Sequence, residues 1–274
     1  MSSIAEKSRA MVLPTRRGVD IHPTALVDDA AELGEGVSVG PFSIVGAEAR
    51  IGPGTQVGPH VLIEGDTTIG AECVLSKGAV LGTAPQDLKY RGEPTRLVVG
   101  DRTHIREYAT LTRGTAASGV TTVGSDCLLM SYVHVAHDCR IGDHVILSNA
   151  VNMAGHVAIE DWVIVGGMTP IHQFVRIGQH AFVGGQSRIA KDVPPYVKAA
   201  GIPLQLYGLN SVGLQRRGFS EEVRRELKRA YRLFFASAHN TTQALARARE
   251  ELRDIPEVEV FLAFFERSER GVSV

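Results

Sequence analysis

From Ile21 onward an aliphatic residue returns every sixth position: Ile21, Val27, Leu33, Val39, Val45, Ile51, and so on to Ile189. In that frame only Asp87, Glu93 and Ala117 break the rule, and all three lie in polar stretches that contain Gly or Pro. A six-residue period suits neither a lone helix (3.6) nor a flat strand (2); it is the hexapeptide mark of a β-solenoid. The fifth slot of each hexapeptide is small: Ala25, Ala31, Val37, Ser43, Ala49, and later Val145, Val151, Val157. The first and fifth slots therefore face inward, the aliphatic side chain filling the interior beside the small one. Glycine often follows the aliphatic residue, as at Gly40, Gly52, Gly70, Gly142 and Gly178. It is expected there to relieve backbone strain at a corner. Three hexapeptides close a triangular coil, so residues eighteen apart stack. About ten coils at ~4.8 Å each predict a prism about 50 Å long.

Two stretches leave the prism, residues 82–96 (GTAPQDLKYRGEPTR) and 113–121 (RGTAASGVT). Loops on a rigid scaffold are where binding residues concentrate. After Ile189 the period ends, VPPY at 193–196 is a break, and the pattern beyond it reads as helical. Ser220 precedes EEVRRELKRAYRLFFAS, Asn240 with Gln243 has capping-box spacing, and Pro256 opens a third helix with Gly271 beyond its end. The expected organisation is an N-terminal tail over 1–20, a β-helix over 21–195 and a small α-helical domain over 196–274, a mainly β protein overall.

The bulk numbers exclude several classes. A net charge of −1 over 274 residues argues against a nucleic-acid binder. No apolar run reaches the roughly 18 residues that cross a bilayer, and the first residues lack the apolar core of a secretory signal. Three cysteines do not make a disulfide framework, so a reducing, cytoplasmic location is expected. Cys73, Cys127 and Cys139 all occupy the fifth slot, as small buried fillers with inert thiols.

The histidines behave oppositely. His134, His137, His156 and His172 fall in outward slots, and one coil separates His137 from Gly155 and Asp138 from His156, with Gln173 a further coil on. A wall with two histidines, a carboxylate, an amide and a bare glycine is a candidate site for acid–base chemistry. The rival is a zinc site of the kind found in hexapeptide hydratases. A non-catalytic scaffold is the third possibility. No metal and no cofactor is assigned.

The stretches IHPTA, PQDLKYRGEPT, VGSDCLLM, HVAHDC, AGHVAI, GGMTPIHQFVRIG, DVPPY and RRGFS closely resemble the UDP-N-acetylglucosamine 3-O-acyltransferases, which begin lipid A synthesis. With the repeat, they cover nearly everything from Ile21 on. The sibling N-acyltransferases carry a long N-terminal uridine-binding domain, whereas about 20 residues precede the repeat here. The resemblance implies a left-handed coil, against the usual crossover preference. It implies transfer of a 3-hydroxyacyl chain from acyl carrier protein to the sugar 3-hydroxyl, with no acyl-enzyme. It makes His137 the general base, Asp138 its orienting partner and the Gly155 N–H the oxyanion donor. It puts Gln86, Asp87 and Lys89 on the sugar nucleotide, lines the pocket with His134, His156 and Gln173, and borders it with His172. It brings Asn210, Arg216 and Arg217 from an adjacent subunit of a homotrimer, arginine forks suiting phosphate. The family's acidic residue two positions after that asparagine is Val212 here.

Two further expectations concern the acyl donor. Gly167 and Gly185 stack in a slot that usually carries a side chain, leaving a floor for an alkyl chain. In the resembling family, glycine at the position of Gly185 goes with longer chains. Between Leu214 and Arg232 seven Arg and Lys face three acids, a local +4 suited to an acidic carrier protein.

Overall fold

The computed structural model describes residues 18–273. Of the tail expected over 1–20, residues 1–17 lie outside the described residues; Asp20 already pairs with Ser38 in the first strand contact of the solenoid. The chain forms a left-handed parallel β-helix followed by helices. Its strands are mostly two residues long, and they stack into three sheets, one per face of the prism. Register follows the period: Ile21 lies over Val39, Val39 over Val57 and Ile141 over Ile159.

The two insertions show in the register. Ile69 pairs with Val99 and Leu81 with Leu111, thirty residues on, while Val99 pairs with Val123 and Leu111 with Val135, twenty-four on. The excess over eighteen is looped out of the wall. The solenoid therefore has nine strands from Asp20–Ile21 to Phe182–Val183 along its first face, not about ten, because part of the periodic length is spent on loops.

The interior is a mainly apolar column, with buried hydroxyl residues such as Ser43 and Thr55 at some fifth slots. First-slot residues such as Ile63, Leu81, Leu111, Leu129, Leu147 and Ile177 are fully buried, as are the fifth-slot Cys73 and Cys139. Leu129→Ala-type truncations in such a column typically cost about 2–5 kcal/mol.

The expected reason for the slot-two glycines is corrected. Gly40, Gly52 and Gly178 do not have positive φ. Apart from Tyr196, every non-glycine residue with positive φ among the described residues falls in slot four, including Phe42, Tyr132, Asp138, His156, Trp162 and His180. The left-handed corner is thus a property of the slot, imposed on ordinary side chains by the closed coil. Slot-two glycines answer a different need, close approach of stacked coils: a Cβ on Gly52 would lie 2.5 Å from the Gly70 carbonyl carbon, and one on Gly40 2.8 Å from that of Gly58.

The segment after VPPY is also not helical at once. Val197–Ala200 joins the first sheet alongside Phe182–Val183, and Gln205–Leu209 returns antiparallel to it. The helices follow: α1 (Ser211–Arg216), α2 (Glu221–Phe235), α3 (Thr241–Glu251) and α4 (Pro256–Glu266). Ser220 caps α2 through the Val223 amide, Asn240 and Gln243 form a reciprocal capping box on α3, and Pro256 starts α4. Helix α1 was not expected; it is one short piece capped by Asn210.

The helical segment is pinned to the prism around Arg176 and Asp192, which meet Phe264, Arg267 and Ser268, and along one corner ladder. His144, Trp162, His180 and Tyr196 stack in succession along it. The Arg217 guanidinium lies over Trp162 at 5.1 Å and reaches His180 Nδ1 at 3.1 Å, while Phe219 packs edge-on to His180. Burial, with the Arg217 charge, depresses the His180 pKa to about 4. A depressed histidine stabilises the fold fully above its unfolded pKa of about 6.5, and that contribution is lost as pH falls toward 4. The loss is about 2 kcal/mol by pH 5, on the order of 3 by pH 4. Urea midpoints at pH 7.5 and pH 5 should therefore diverge more in the wild type than in His180→Asn, a residue that tolerates the left-handed corner. Equal divergence would show that His180 is not the acid-sensitive group.

Candidate active site

HVAHDC runs along one edge of the prism, with Val135 and Cys139 directed inward and fully buried. The Cys139 thiol is 3.2 Å from the Ala154 carbonyl, and burial pushes its pKa up to about 12. It is a protonated filler, unsuited to attack on a thioester. Cys127 is likewise pushed up by burial, to about 11.

Outside the wall, His137 Nδ1 is 2.8 Å from Asp138 Oδ2, and the His137 side chain is 15% exposed while that of Asp138 is 0% exposed. Burial alone would raise the Asp138 pKa. Hydrogen bonds from the Ser118 and Thr115 hydroxyls, from His137 and from the Thr115 amide outweigh it and hold the carboxyl near 2. An ionised carboxylate has no proton to give, so the shared hydrogen belongs to His137 Nδ1. That tautomer leaves the Nε2 lone pair as the basic atom.

Next to it, His156 meets the His137 ring edge-on at 5.1 Å and stacks flat on Phe174 at 4.5 Å. Its Nδ1 is 3.8 Å from Asp138 Oδ2. Its pKa is lowered, mainly by burial and also by His137, against the opposing charges of Asp138 and Asp87. His134 lies in the strand before, with Nδ1 2.7 Å from the Thr110 hydroxyl, and burial and His137 lower its pKa. Both shifts favour the uncharged imidazole at His134 and His156.

Gly155 is buried one coil above. A Cβ there would fall 2.5 Å from His137 Cε1 and 2.7 Å from Nε2, so the bare α-carbon is the space in which the imidazole lies. The Gly155 N–H meets no backbone acceptor among the described residues, although its carbonyl accepts from Phe174. Gln173 and His172 are exposed on the following coil, His172 Nδ1 lying 3.1 Å from the Gln173 carbonyl.

The first insertion carries Gln86 and Lys89, both exposed, and Asp87, which accepts from the Lys89 amide at 2.9 Å. Gly167 and Gly185 lie on adjacent coils, the Cβ position of Gly185 being 3.2 Å from the Gly167 carbonyl oxygen. Three expected residues are not part of this wall within one chain. Asn210 is buried at the start of α1, its amide donating to the His180 carbonyl, and Arg217 is stacked on Trp162. Both sit on the corner ladder of His180, one hexapeptide round from the ladder of His156 and Phe174. Arg216 is exposed at the end of α1.

Thr115 and Ser118 were missed from the sequence. The available signal was a Thr-x-x-Ser spacing in a loop leaving a rigid wall, which marks local hydrogen bonding but not its target. Among the described residues, His137, Asp138 and His156 are the one group whose ligating atoms come within 4.8 Å of one another. The donor set fits a cation poorly: the loop and His137 already occupy both Asp138 oxygens.

Comparison with known proteins agrees with this layout. The pattern of the family described as "Udp N-acetylglucosamine O-acyltransferase; Domain 2" matches residues 192–273, and that of "Bacterial transferase hexapeptide (six repeats)" matches 30–65, 48–83 and 121–155. The solved LpxA of Acinetobacter baumannii is 42% identical, covering 93% of this chain and 99% of its own, with a TM-score of 0.90. The UDP-N-acetylglucosamine O-acyltransferase (LpxA) of Moraxella catarrhalis is 41% identical at the same coverage, TM-score 0.89. The UDP-N-acetylglucosamine acyltransferase of Campylobacter jejuni is 34% identical, again at 93% and 99%, TM-score 0.88.

Proposed function

The chain belongs to the UDP-N-acetylglucosamine O-acyltransferase family, and on that premise we propose that it moves a 3-hydroxyacyl chain from acyl carrier protein to the 3-hydroxyl of UDP-N-acetylglucosamine. It is an acyltransferase of lipid A synthesis. The donor, the acceptor atom and the general-base route belong to the proposal, and the observation that carries them is the His137–Asp138 pair lying over Gly155.

His137 Nε2 takes the proton of the sugar hydroxyl as that oxygen attacks the thioester carbonyl. The tetrahedral oxyanion is met by the Gly155 N–H. The C–S bond then breaks, and the departing thiolate takes the proton back from Nε2, leaving an ester and a free thiol. A thioester is already activated, so no enzyme nucleophile is needed, in keeping with the buried cysteines. Gln86, Asp87 and Lys89, with His134, His156, His172 and Gln173, are assigned to the sugar nucleotide, and Gly167 with Gly185 to the alkyl chain. Asn210, Arg216 and Arg217 are assigned to uridine and phosphates of a neighbouring site in a homotrimer. Exposed Phe42, Tyr108, Tyr132 and Met168 along one corner support a face that another copy covers. No helix among the described residues is long and apolar enough to cross a membrane; a cytoplasmic location is part of the proposal. The reading is tested by offering a 3-hydroxyacyl carrier protein and UDP-N-acetylglucosamine and weighing the nucleotide product.

The carrier is assigned to the basic face of α2. Arg229 is spent on buried Glu226, and Arg224 on the Phe219 carbonyl. Arg225, Lys228 and Arg232 are exposed. Arg225→Glu with Lys228→Glu should raise the apparent KM for the acyl carrier about tenfold at low salt, with the gap to wild type closing as salt screens it. An unchanged KM at low salt would move the docking site elsewhere.

A further inference from the structure

We propose that Thr115 and Ser118, on the second insertion, are positioning residues that hold the Asp138 carboxylate so that it serves His137 and not His156. This rests on the reading of His137 as the base.

The geometry is specific. Asp138 Oδ1 accepts from the Thr115 amide at 3.0 Å, the Ser118 amide at 3.2 Å and the Ser118 hydroxyl. Oδ2 accepts from the Thr115 hydroxyl at 2.7 Å and from His137 Nδ1 at 2.8 Å. A carboxylate offers about four lone-pair sites, and five donors converge on this one. Oδ1 is consumed by the loop, so the carboxylate cannot turn to present its other oxygen. On Oδ2 the Thr115 hydroxyl and His137 leave no good direction for His156, whose Nδ1 stays 3.8 Å away. Two histidines flank one acid, and the loop decides which of them is oriented.

The loop itself is anchored. Arg96 donates its amide to the Gly119 carbonyl at 3.0 Å and its carbonyl accepts from Gly114 at 3.2 Å. Glu93 Oε1 accepts from the Ala116 amide at 3.1 Å. Arg113 reaches back to the Gly82 carbonyl at 2.9 Å and to the Tyr90 hydroxyl at 3.3 Å. The clamp is therefore tied to both ends of the first insertion, which carries Gln86, Asp87 and Lys89. The Asp138 backbone is held separately, its amide donating to Thr121 Oγ1 at 2.9 Å. Removing the two hydroxyls should loosen the carboxylate without displacing the residue.

The test is a cycle of variants assayed for acyl transfer. Thr115→Val with Ser118→Ala should lower kcat about ten- to thirtyfold with KM for UDP-N-acetylglucosamine within about twofold, while Thr115→Ser, which keeps the hydroxyl, should stay within about threefold of wild type. In an Asp138→Asn background the same pair of changes should cost less than about twofold, because the other bonds of these hydroxyls, from the Ala117 amide to Thr115 at 3.2 Å and from Ser118 to the Val120 carbonyl at 3.0 Å, stay within the loop and only the carboxylate links them to His137. A merely structural loop would instead lose activity equally in both backgrounds. Undiminished kcat in the double variant, or additive losses, would overturn the proposal. His137→Ala run alongside separates the two ideas: if it stays active, the base assignment fails; if it is dead while the double variant is fully active, only the clamp fails.

Discussion

His137→Ala should leave a folded protein whose acyl transfer has fallen by at least 10², up to about 10⁴, the usual contribution of a positioned general base. The effect should appear in kcat more than in KM, because the imidazole acts on the proton in flight and the sugar nucleotide has many other contacts. The structure gives His137 no packing duty in the prism interior: it is part of the outer wall, with its ring over a glycine. The thermal midpoint should therefore be close to wild type. Retention of more than about a tenth of the activity would be less than a general base normally costs, and would sink the assignment.

Gly155→Ala should be nearly as damaging, for a reason that is almost purely steric. The Gly155 backbone is not in the left-handed region, so alanine brings no conformational strain of its own. Its methyl would instead occupy the place of the His137 ring, 2.5 Å from Cε1 and 2.7 Å from Nε2. The ring must swing away, breaking the 2.8 Å contact with Asp138. Misplacing a catalytic group by about 1 Å costs on the order of 10² in rate, and disturbance of the oxyanion donor adds to it. Steady-state kinetics beside a melting curve distinguish this from simple misfolding. An alanine variant with wild-type kcat would mean that the ring needs neither its present place nor the amide beneath it.

Much of this was legible in the periodicity because a closed coil ties burial to slot number. The frame put Cys73, Cys127 and Cys139 inside and His134, His137 and His156 outside, and burial follows it. Helix starts were legible because caps are local chemistry, as at Ser220, Asn240 with Gln243, and Pro256. What escaped depends on geometry between coils. Gly52 looks the same in sequence whether it relieves a corner or admits the next coil, and only the stacked backbone shows the latter. The Val197–Leu209 hairpin has too few residues per strand for a period to form, and its partner Phe182–Val183 is distant in pattern. The clamp on Asp138 was hidden because an insertion loop has no slot number. Nothing in RGTAASGVT says where its hydroxyls point.

The central claim is direct transfer at the His137 wall, without an acyl-enzyme. A rapid-quench experiment with 3-hydroxyacyl carrier protein, run with and without UDP-N-acetylglucosamine and read by intact mass of both enzyme and nucleotide, tests it in one measurement. Direct transfer leaves an unmodified enzyme at every time point and gives a nucleotide sugar heavier by one acyl group only when both substrates are present. An acyl adduct on the enzyme, above all one on Cys139, or the lack of any acylated nucleotide, would contradict it.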